Sequence, residues 1–342
     1  MPLKSVIGQV INGQDLTVEQ AEEAMDLIME GLATDAQIGS YLTALRMKGE
    51  TTDEIAGSAR SMRAHVVRVE ADVSSGEMLV DTCGTGGDGL GSFNISTTAA
   101  FVVAGYGVKV AKHGNRAASS KSGSADVLMA LGGNLDLNPE QVAACINEIN
   151  IGFLYAVNHH PAMRNAIAAR REIGQRTIFN LLGPLTNPAR ASHQLMGVYD
   201  GSLTETVANV LAALGANAAL VVHGADGMDE LSTTGINYCS RLKDGSVTSS
   251  VLDPETFGFE RATLADLRGG NPEENARITI DILAGKDNSP RRDIVLLNAA
   301  AALSLDNQDL DAGLGKARES IDSGGALRTL EAWIEMTQSF RE

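Results

Sequence analysis

Long apolar stretches are missing from this 342-residue chain: no window approaches about 18 uninterrupted apolar residues, which excludes a membrane-spanning helix. The opening segment MPLKSVIGQVINGQDL has neither an extended apolar core nor a small-residue cleavage site, so export is not expected. Cysteine is scarce. Cys83, Cys145 and Cys239 stand far apart without a C-x-x-C, which argues against a disulfide framework or a structural zinc site and fits a reducing cytoplasm. Positive charge is also in deficit, with 27 Lys and Arg against 43 Asp and Glu and a formal net charge of −16. General attraction to nucleic acid or an anionic membrane is thereby disfavoured. Fixed-period repeats and low-complexity tracts are absent as well.

What is present is glycine-rich and apolar: 36 glycines against 8 prolines, 44% hydrophobic and 20% charged residues, the composition of a folded α/β protein. An anionic ligand must find local cations. Two unit charges 4 Å apart near a protein surface interact by roughly 4 kcal/mol, whereas those beyond about 8 Å are largely screened in physiological salt. A few well-placed cations therefore outweigh the diffuse negative field.

Three capping boxes open the chain, Thr17-x-x-Gln20, Thr34-x-x-Gln37 and Thr51-x-x-Glu54, and apolar residues at helical spacing follow, as in Ile38, Tyr41, Leu42 and Leu45. Residues 1–72 read as a small helical domain and 73–342 as a larger α/β domain. Short apolar runs then recur at Met78 to Cys83, Val108 to Ala111, Ile151 to Ala156, Leu195 to Val198 and Ala218 to Val222. Helical segments separate them, among them Thr97 to Ala104, Pro139 to Ile149 and Leu203 to Leu214, so a mixed, mostly parallel central sheet flanked by helices is expected. Asp244-Gly245 between two alternating runs marks an antiparallel hairpin at its edge.

Gly84-Thr85-Gly86-Gly87-Asp88-Gly89 follows the first strand and precedes a helix starting near Asn94 to Thr97. Glycines allow close backbone approach, and consecutive N–H groups with a helix N-terminus attract an anion, so phosphate is expected here. The same residues match G-x-G-x-x-G, but Lys112-His113 stands where a dinucleotide fold wants an acid, and no Walker lysine follows. Lys112-His113-Gly114-Asn115-Arg116, placed just after the second strand, brings two cations beside the glycines. The following hydroxyl-rich stretch through Ser119, Ser120 and Ser124 adds donors, with Ser124 opening a helix. The adjacent His159 and His160 lack the i, i+4 spacing of a zinc site and are read as packing or substrate contacts. Arg170 suits a carboxylate, and the acid pair Asp229-Glu230 at a strand end suits magnesium, which takes one or two carboxylates plus waters and substrate phosphates.

Taken together, GTGGD at 84–88, NIST at 94–97, KHGNR at 112–116, SGSAD at 122–126, HHPAM at 159–163, FNLLGPLTNP at 179–188 and DGMDE at 226–230 resemble the anthranilate phosphoribosyltransferases over essentially the whole chain. The resemblance implies transfer of the phosphoribosyl group of phosphoribosyl pyrophosphate to the amine of anthranilate, with magnesium, in tryptophan biosynthesis. It implies a homodimer formed through the small helical domain, which helices from about 162–190 rejoin. Carried over by motif, Gly84, Gly86, Gly87, Asp88, Asn94, Ser96, Thr97, Lys112 and Ser124 hold the sugar diphosphate. Ser96, Asp229 and Glu230 serve magnesium, Gly84, His113, Asn115, Arg170 and Gly183 meet anthranilate, and Lys112, His113 and Arg170 are the catalytic set. Tyr155-Ala156-Val157-Asn158 departs from the Ala-Pro that commonly precedes the histidines, near the acceptor pocket. The rival readings are a pyrimidine nucleoside phosphorylase, a non-catalytic nucleic-acid-binding relative and a dinucleotide-dependent oxidoreductase.

Overall fold

The structure is a computed structural model describing residues 2–117 and 121–341, so Ala118, Ser119 and Ser120 of the hydroxyl-rich stretch lie outside the described residues. Four helices come first: α1 (Leu3–Ile11), α2 (Val18–Met29), α3 (Asp35–Lys48) and α4 (Thr52–Ala64). Each capping box closes at the start of α2, α3 and α4, the threonine accepting from the N3 amide and the N3 side chain answering to the cap amide. Ile38, Tyr41, Leu42 and Leu45 fall on one face of α3 and are buried with Met25, Ile28 and Ile55. Glu54 is fully buried in this bundle and accepts from Thr51 N–H at 2.9 Å, Leu16 N–H at 3.1 Å and Lys48 Nζ at 3.0 Å. Three donors offset the cost of desolvating its charge.

Among the described residues one sheet contains β1 (Leu79–Gly84), β2 (Lys109–Gly114), β3 (Ile151–Tyr155), β4 (His193–Gly197), β5 (Ala218–Gly224), β6 (Asn237–Lys243) and β7 (Ser246–Leu252). Their order is β3-β2-β1-β4-β5-β6-β7, with the first five parallel and the last two antiparallel. The expected mixed, mostly parallel sheet is what forms. The hairpin turns at Asp244 and Gly245, both at positive φ (49° and 73°), which matches the twist of the flanking strands. Because β1 lies between β2 and β4, the strand order reverses there and a crevice opens at the carboxyl ends of β1 and β4, where ligands of open α/β sheets bind.

Helices cover both faces. α5 (Ile95–Gly105), α6 (Ser124–Ala130) and α7 (Pro139–Ile149) link the first three strands, and α8 (Ala156–His159), α9 (Arg164–Ile173) and α10 (Phe179–Leu185) form the crossover to β4. After β4 come α11 (Thr204–Ala213), then α12 (Pro272–Leu283), α13 (Pro290–Leu303), α14 (Leu310–Asp322) and α15 (Gly325–Ser339). Strand residues alternate between two cores, as a period of two requires: Leu195 and Leu220 pack with α5 and α13, Met196 and Val221 with the N-terminal helices and α11. The crossover leaves the sheet and returns to the N-terminal bundle, where Ala166, Ala169, Phe179 and Leu182 share a core with Met25, Tyr41 and Ile55. His159 braces the chain joining α4 to the sheet, its backbone oxygen accepting from Val67 N–H at 2.8 Å and its Nδ1 meeting Val67 O at 3.0 Å.

Candidate functional site

The glycine loop leaves β1 at the crevice, and the acid pair reaches it from the turn after β5. Gly86 N–H donates to Asp229 Oδ2 at 2.6 Å, and Ser96 N–H, in the first turn of α5, donates to Glu230 Oε1 at 3.2 Å. Gly84 and Gly197 are opposite one another in the parallel register of β1 and β4. A Cβ on Gly84 would overlap the Asp229 carboxylate, and one on Gly197 would overlap the Asp229 carbonyl oxygen. Both strands must end in bare backbone for the acidic turn to settle into the crevice. Burial, then the neighbouring Asp88, raises Asp229 above the usual carboxylate range, and burial, then Asp229, raises Glu230. Asp88 also caps its own loop, accepting from Leu90 N–H at 3.1 Å.

Strand β2 runs on through Gly114, because Lys112, His113 and Gly114 pair in register with Phe153, Leu154 and Tyr155 of β3. Lys112 and His113 are thus inside a strand and not just after it, and alternation sends them to opposite faces. Lys112 is 3% exposed; its Nζ donates to Thr82 O and lies 3.4 Å from Ser96 Oγ, under the start of α5. Burial lowers its affinity for a proton, while Asp81 and Glu230 favour the charged form. His113 turns towards α10: its ring is hydrogen-bonded to the backbone of Gly183, and its Nε2 is 3.1 Å from His160 Nε2.

Of the two cations that this segment carries, Lys112 is buried and Arg116 is exposed, its Nε donating to Tyr155 Oη at 3.1 Å. Burial, then His160, drives His113 well below the usual histidine range, leaving a neutral imidazole. Its backbone is fixed in turn by Asp81, which accepts from His113 N–H at 3.1 Å and from Asn187 Nδ2 at 2.8 Å. His160 is pushed down to about 4 by burial and then by His159. Below the unfolded value near 6.5 the unfolded chain binds a proton that the folded state refuses, so stability is present above that pH and is lost as pH falls towards 4. Relative to the wild type, His160→Gln should gain about 2 kcal/mol in urea-unfolding free energy between pH 7 and pH 5. A constant difference across that range would refute the assignment.

The remaining predicted residues separate by what their side chains touch. Asn94 is clamped between Asn275 Nδ2 at 2.8 Å and Ser122 Oγ at 3.2 Å at the entrance to α5. Thr97 is 1% exposed in the first turn of α5, where backbone amides lack intrahelical partners. Ser124 begins α6, and its Oγ donates to Asn115 O at 3.2 Å, tying two candidate segments together. Arg170 on α9 lies with its guanidinium 4.9 Å from the Phe179 ring centroid, one turn before Gly183 on α10, and no atom would crowd a Cβ at Gly183. The unusual Asn158 turns to Leu135 O at 3.0 Å while Val157 is exposed.

Residues not singled out from the sequence complete the arrangement. Arg176, between α9 and α10, donates through Nη2 to Gly87 O and lies 4.5 Å from the Tyr199 ring centroid. Asn187 bridges Asp81 to Ala111 O at 2.8 Å, fixing β1 against β2 beneath the site. Arg176 had a visible signal, a cation in a turn; Asn187 lies in the FNLLGPLTNP motif, but its partners are far away in sequence and this bridging role left no local sign.

A glycine loop and an acid pair meeting at the switch point of a mostly parallel sheet, with a helical bundle joined to it by the crossover, define the class of a phosphate-ligand α/β enzyme. Two sequence models of the glycosyl transferase family match the chain, the helical bundle domain over residues 4–66 and the a/b domain over residues 76–327. The anthranilate phosphoribosyltransferase of Symbiobacterium thermophilum is 56% identical over 341 residues, 99% of each chain. Among solved structures, the anthranilate phosphoribosyltransferase of Thermus thermophilus superposes with a TM-score of 0.91 at 42% identity, covering 97% of this chain and 99% of that one. That of Saccharomyces cerevisiae, in complex with PRPP and Mg, gives a TM-score of 0.90 at 31% identity over 98% of both chains. The chain belongs to the anthranilate phosphoribosyltransferase family of glycosyl transferases.

Proposed function

We infer that this chain transfers the phosphoribosyl group of phosphoribosyl pyrophosphate to the amine of anthranilate, giving N-(5-phosphoribosyl)anthranilate and pyrophosphate. The observation that carries this reading is the contact between the glycine loop and the acid pair at the switch point, Gly86 N–H to Asp229 and Ser96 N–H to Glu230. The backbone donors of Gly86, Gly87 and Asp88 and the first turn of α5, with Asn94, Ser96, Thr97 and Ser124, would hold the sugar diphosphate. Asp88 would act through its N–H, since its carboxylate lies against Asp229. Arg170, with Gly84, His113, Asn115 and Gly183, would orient the acceptor, the guanidinium fork matching its carboxylate.

An aromatic amine is already a nucleophile, so the chain's main work is to align it with C1 and to stabilise the leaving pyrophosphate. As the new C–N bond forms, the bond from C1 to pyrophosphate breaks with its electron pair leaving on the pyrophosphate oxygen, and the proton of the amine passes to water. Neutral His113, already bonded to Gly183 and facing His160, serves as a wall and hydrogen-bonding partner more than as a base.

Burial and a neighbouring acid make ionisation of Asp229 and of Glu230 costly, and a divalent cation would offset that cost, so the pair fits magnesium, which Asp229, Glu230 and the Ser96 hydroxyl would hold. Bound there, magnesium supplies charge neutralisation for the diphosphate. Combining Asp229→Asn with Glu230→Gln should raise the magnesium needed for half-maximal rate by at least about tenfold. An unchanged requirement in steady-state kinetics would remove these two residues from the metal site.

The same reading extends to assembly and place. We propose a division into a bundle of residues 1–72, with 162–190 added, and an α/β body, and a homodimer through the bundle, which exposes Ile11 (67%), Leu32 (67%) and Met47 (84%). A cytoplasmic, tryptophan-biosynthetic setting accords with three free, buried cysteines. The charge of −16 speaks against nucleic acid or an anionic membrane as a partner. No helix among the described residues is long and apolar enough to cross a membrane.

A further inference from the structure

We propose that Arg176 is the donor-site cation of the crossover, binding the pyrophosphate end of the ligand held on the glycine loop. The proposal rests on the reading of that loop as the donor site.

Lys112 is buried beneath the loop and turned to Thr82 O and Ser96, His113 is neutral, and the exposed Arg116 donates to Tyr155 Oη at 3.1 Å and reaches Met129 Sδ at 3.6 Å, so none of these β2-side groups is a cation aimed over the outer face of the glycines. A polyanionic ligand approaching a chain of charge −16 still needs local positive charge. Arg176 supplies it from the opposite side. It is exposed, donates to Gly87 O through one nitrogen, and rests over Tyr199, which follows the end of β4. The guanidinium thus bridges the two lips of the switch-point crevice, from the loop after β1 to the loop after β4. One of its five N–H donors is committed to Gly87, and the planar fork offers the rest to phosphoryl oxygens.

Its setting leaves the guanidinium without an acidic partner among the described residues. Arg176 forms one wall of a 410 Å³ cavity between α3 and the α9–α10 connection, which also includes Thr43, Arg46, Met47, Ile173 and Thr177. Among the described residues neither Arg46 nor Arg176 makes an ion pair within 4 Å, and both lie close enough to Tyr199 to act on its hydroxyl. Arg176 lies six residues after Arg170, so one crossover segment carries both the proposed acceptor cation and the donor cation. Tightening of that segment on pyrophosphate would move the two together.

The test is calorimetric titration of magnesium pyrophosphate into full-length wild type, Arg176→Gln and Arg176→Lys, with steady-state KM values for both substrates. Arg176→Gln should weaken pyrophosphate binding and raise the donor KM by at least about tenfold. Arg176→Lys should recover part of the loss, and the anthranilate KM should change by less than about threefold. The gap between wild type and Arg176→Gln should narrow as salt is added. Equal pyrophosphate affinity in wild type and Arg176→Gln, no binding by the wild type, or an anthranilate KM that rises as much as the donor KM would overturn the proposal. Wild-type turnover of donor with anthranilate, measured in parallel, tests the underlying reading separately: if turnover is absent, the titration still decides the role of Arg176.

Discussion

A Gly197→Ala enzyme is expected to lose at least about a hundredfold in kcat/KM, because misplacing a reacting constellation by about 1 Å costs that much. The added methyl would fall on the carbonyl oxygen of Asp229, a backbone atom with no rotamer to escape into. Either the acidic turn lifts out of the crevice or β4 is pushed away from β1, with which Gly197 is in register at Gly84. Both responses break the contact between Asp229 and Gly86 N–H. Overpacking of this kind also destabilises by about 1–3 kcal/mol, so the kinetics must be read well below the variant's Tm. Near-normal kcat/KM in a folded variant would mean that Asp229 need not occupy its observed place.

Lys112→Ala should lower kcat by about two to three orders of magnitude, and His113→Ala by about one or less. The ammonium lies beneath the first turn of α5, beside Ser96 and close enough to Glu230 and Asp81 to act on both. Its removal withdraws positive charge from under the diphosphate and leaves two buried carboxylates without a neighbouring cation. A stability loss of about 3 kcal/mol should accompany it. His113 contributes shape and a hydrogen bond, since its imidazole is neutral and already engaged. Equal or reversed losses in kcat would count against the division of roles.

Much of the scaffold was legible because its signals are local. The threonine capping boxes, Asn138-Pro139 opening α7, the Asp244-Gly245 turn and the apolar runs of β1 and β5 each express a preference spanning fewer than about ten residues, and each formed. Motif order also paired the glycine loop with Asp229-Glu230, and the fold holds them in contact.

What the sequence concealed depends on pairing partners distant along the chain. Strand β2 ran longer than its apolar stretch because β3 paired beyond it, and this drew Lys112 and His113 out of an apparent loop into the buried strand, leaving Arg116 exposed after it. The reach of Arg176 to Gly87 depends on the path of the crossover over the bundle, and the Asp81–Asn187 pair on the register of β1 with β2. Such long-range closures leave no short-range trace.

The most direct measurement follows the fluorescence of anthranilate incubated with purified protein, phosphoribosyl pyrophosphate and magnesium, beside a sample containing a metal chelator. Magnesium-dependent loss of fluorescence, with pyrophosphate released in equal amount, is the expected result. No loss at high protein concentration, together with phosphorolysis of a pyrimidine nucleoside, would contradict the assigned reaction.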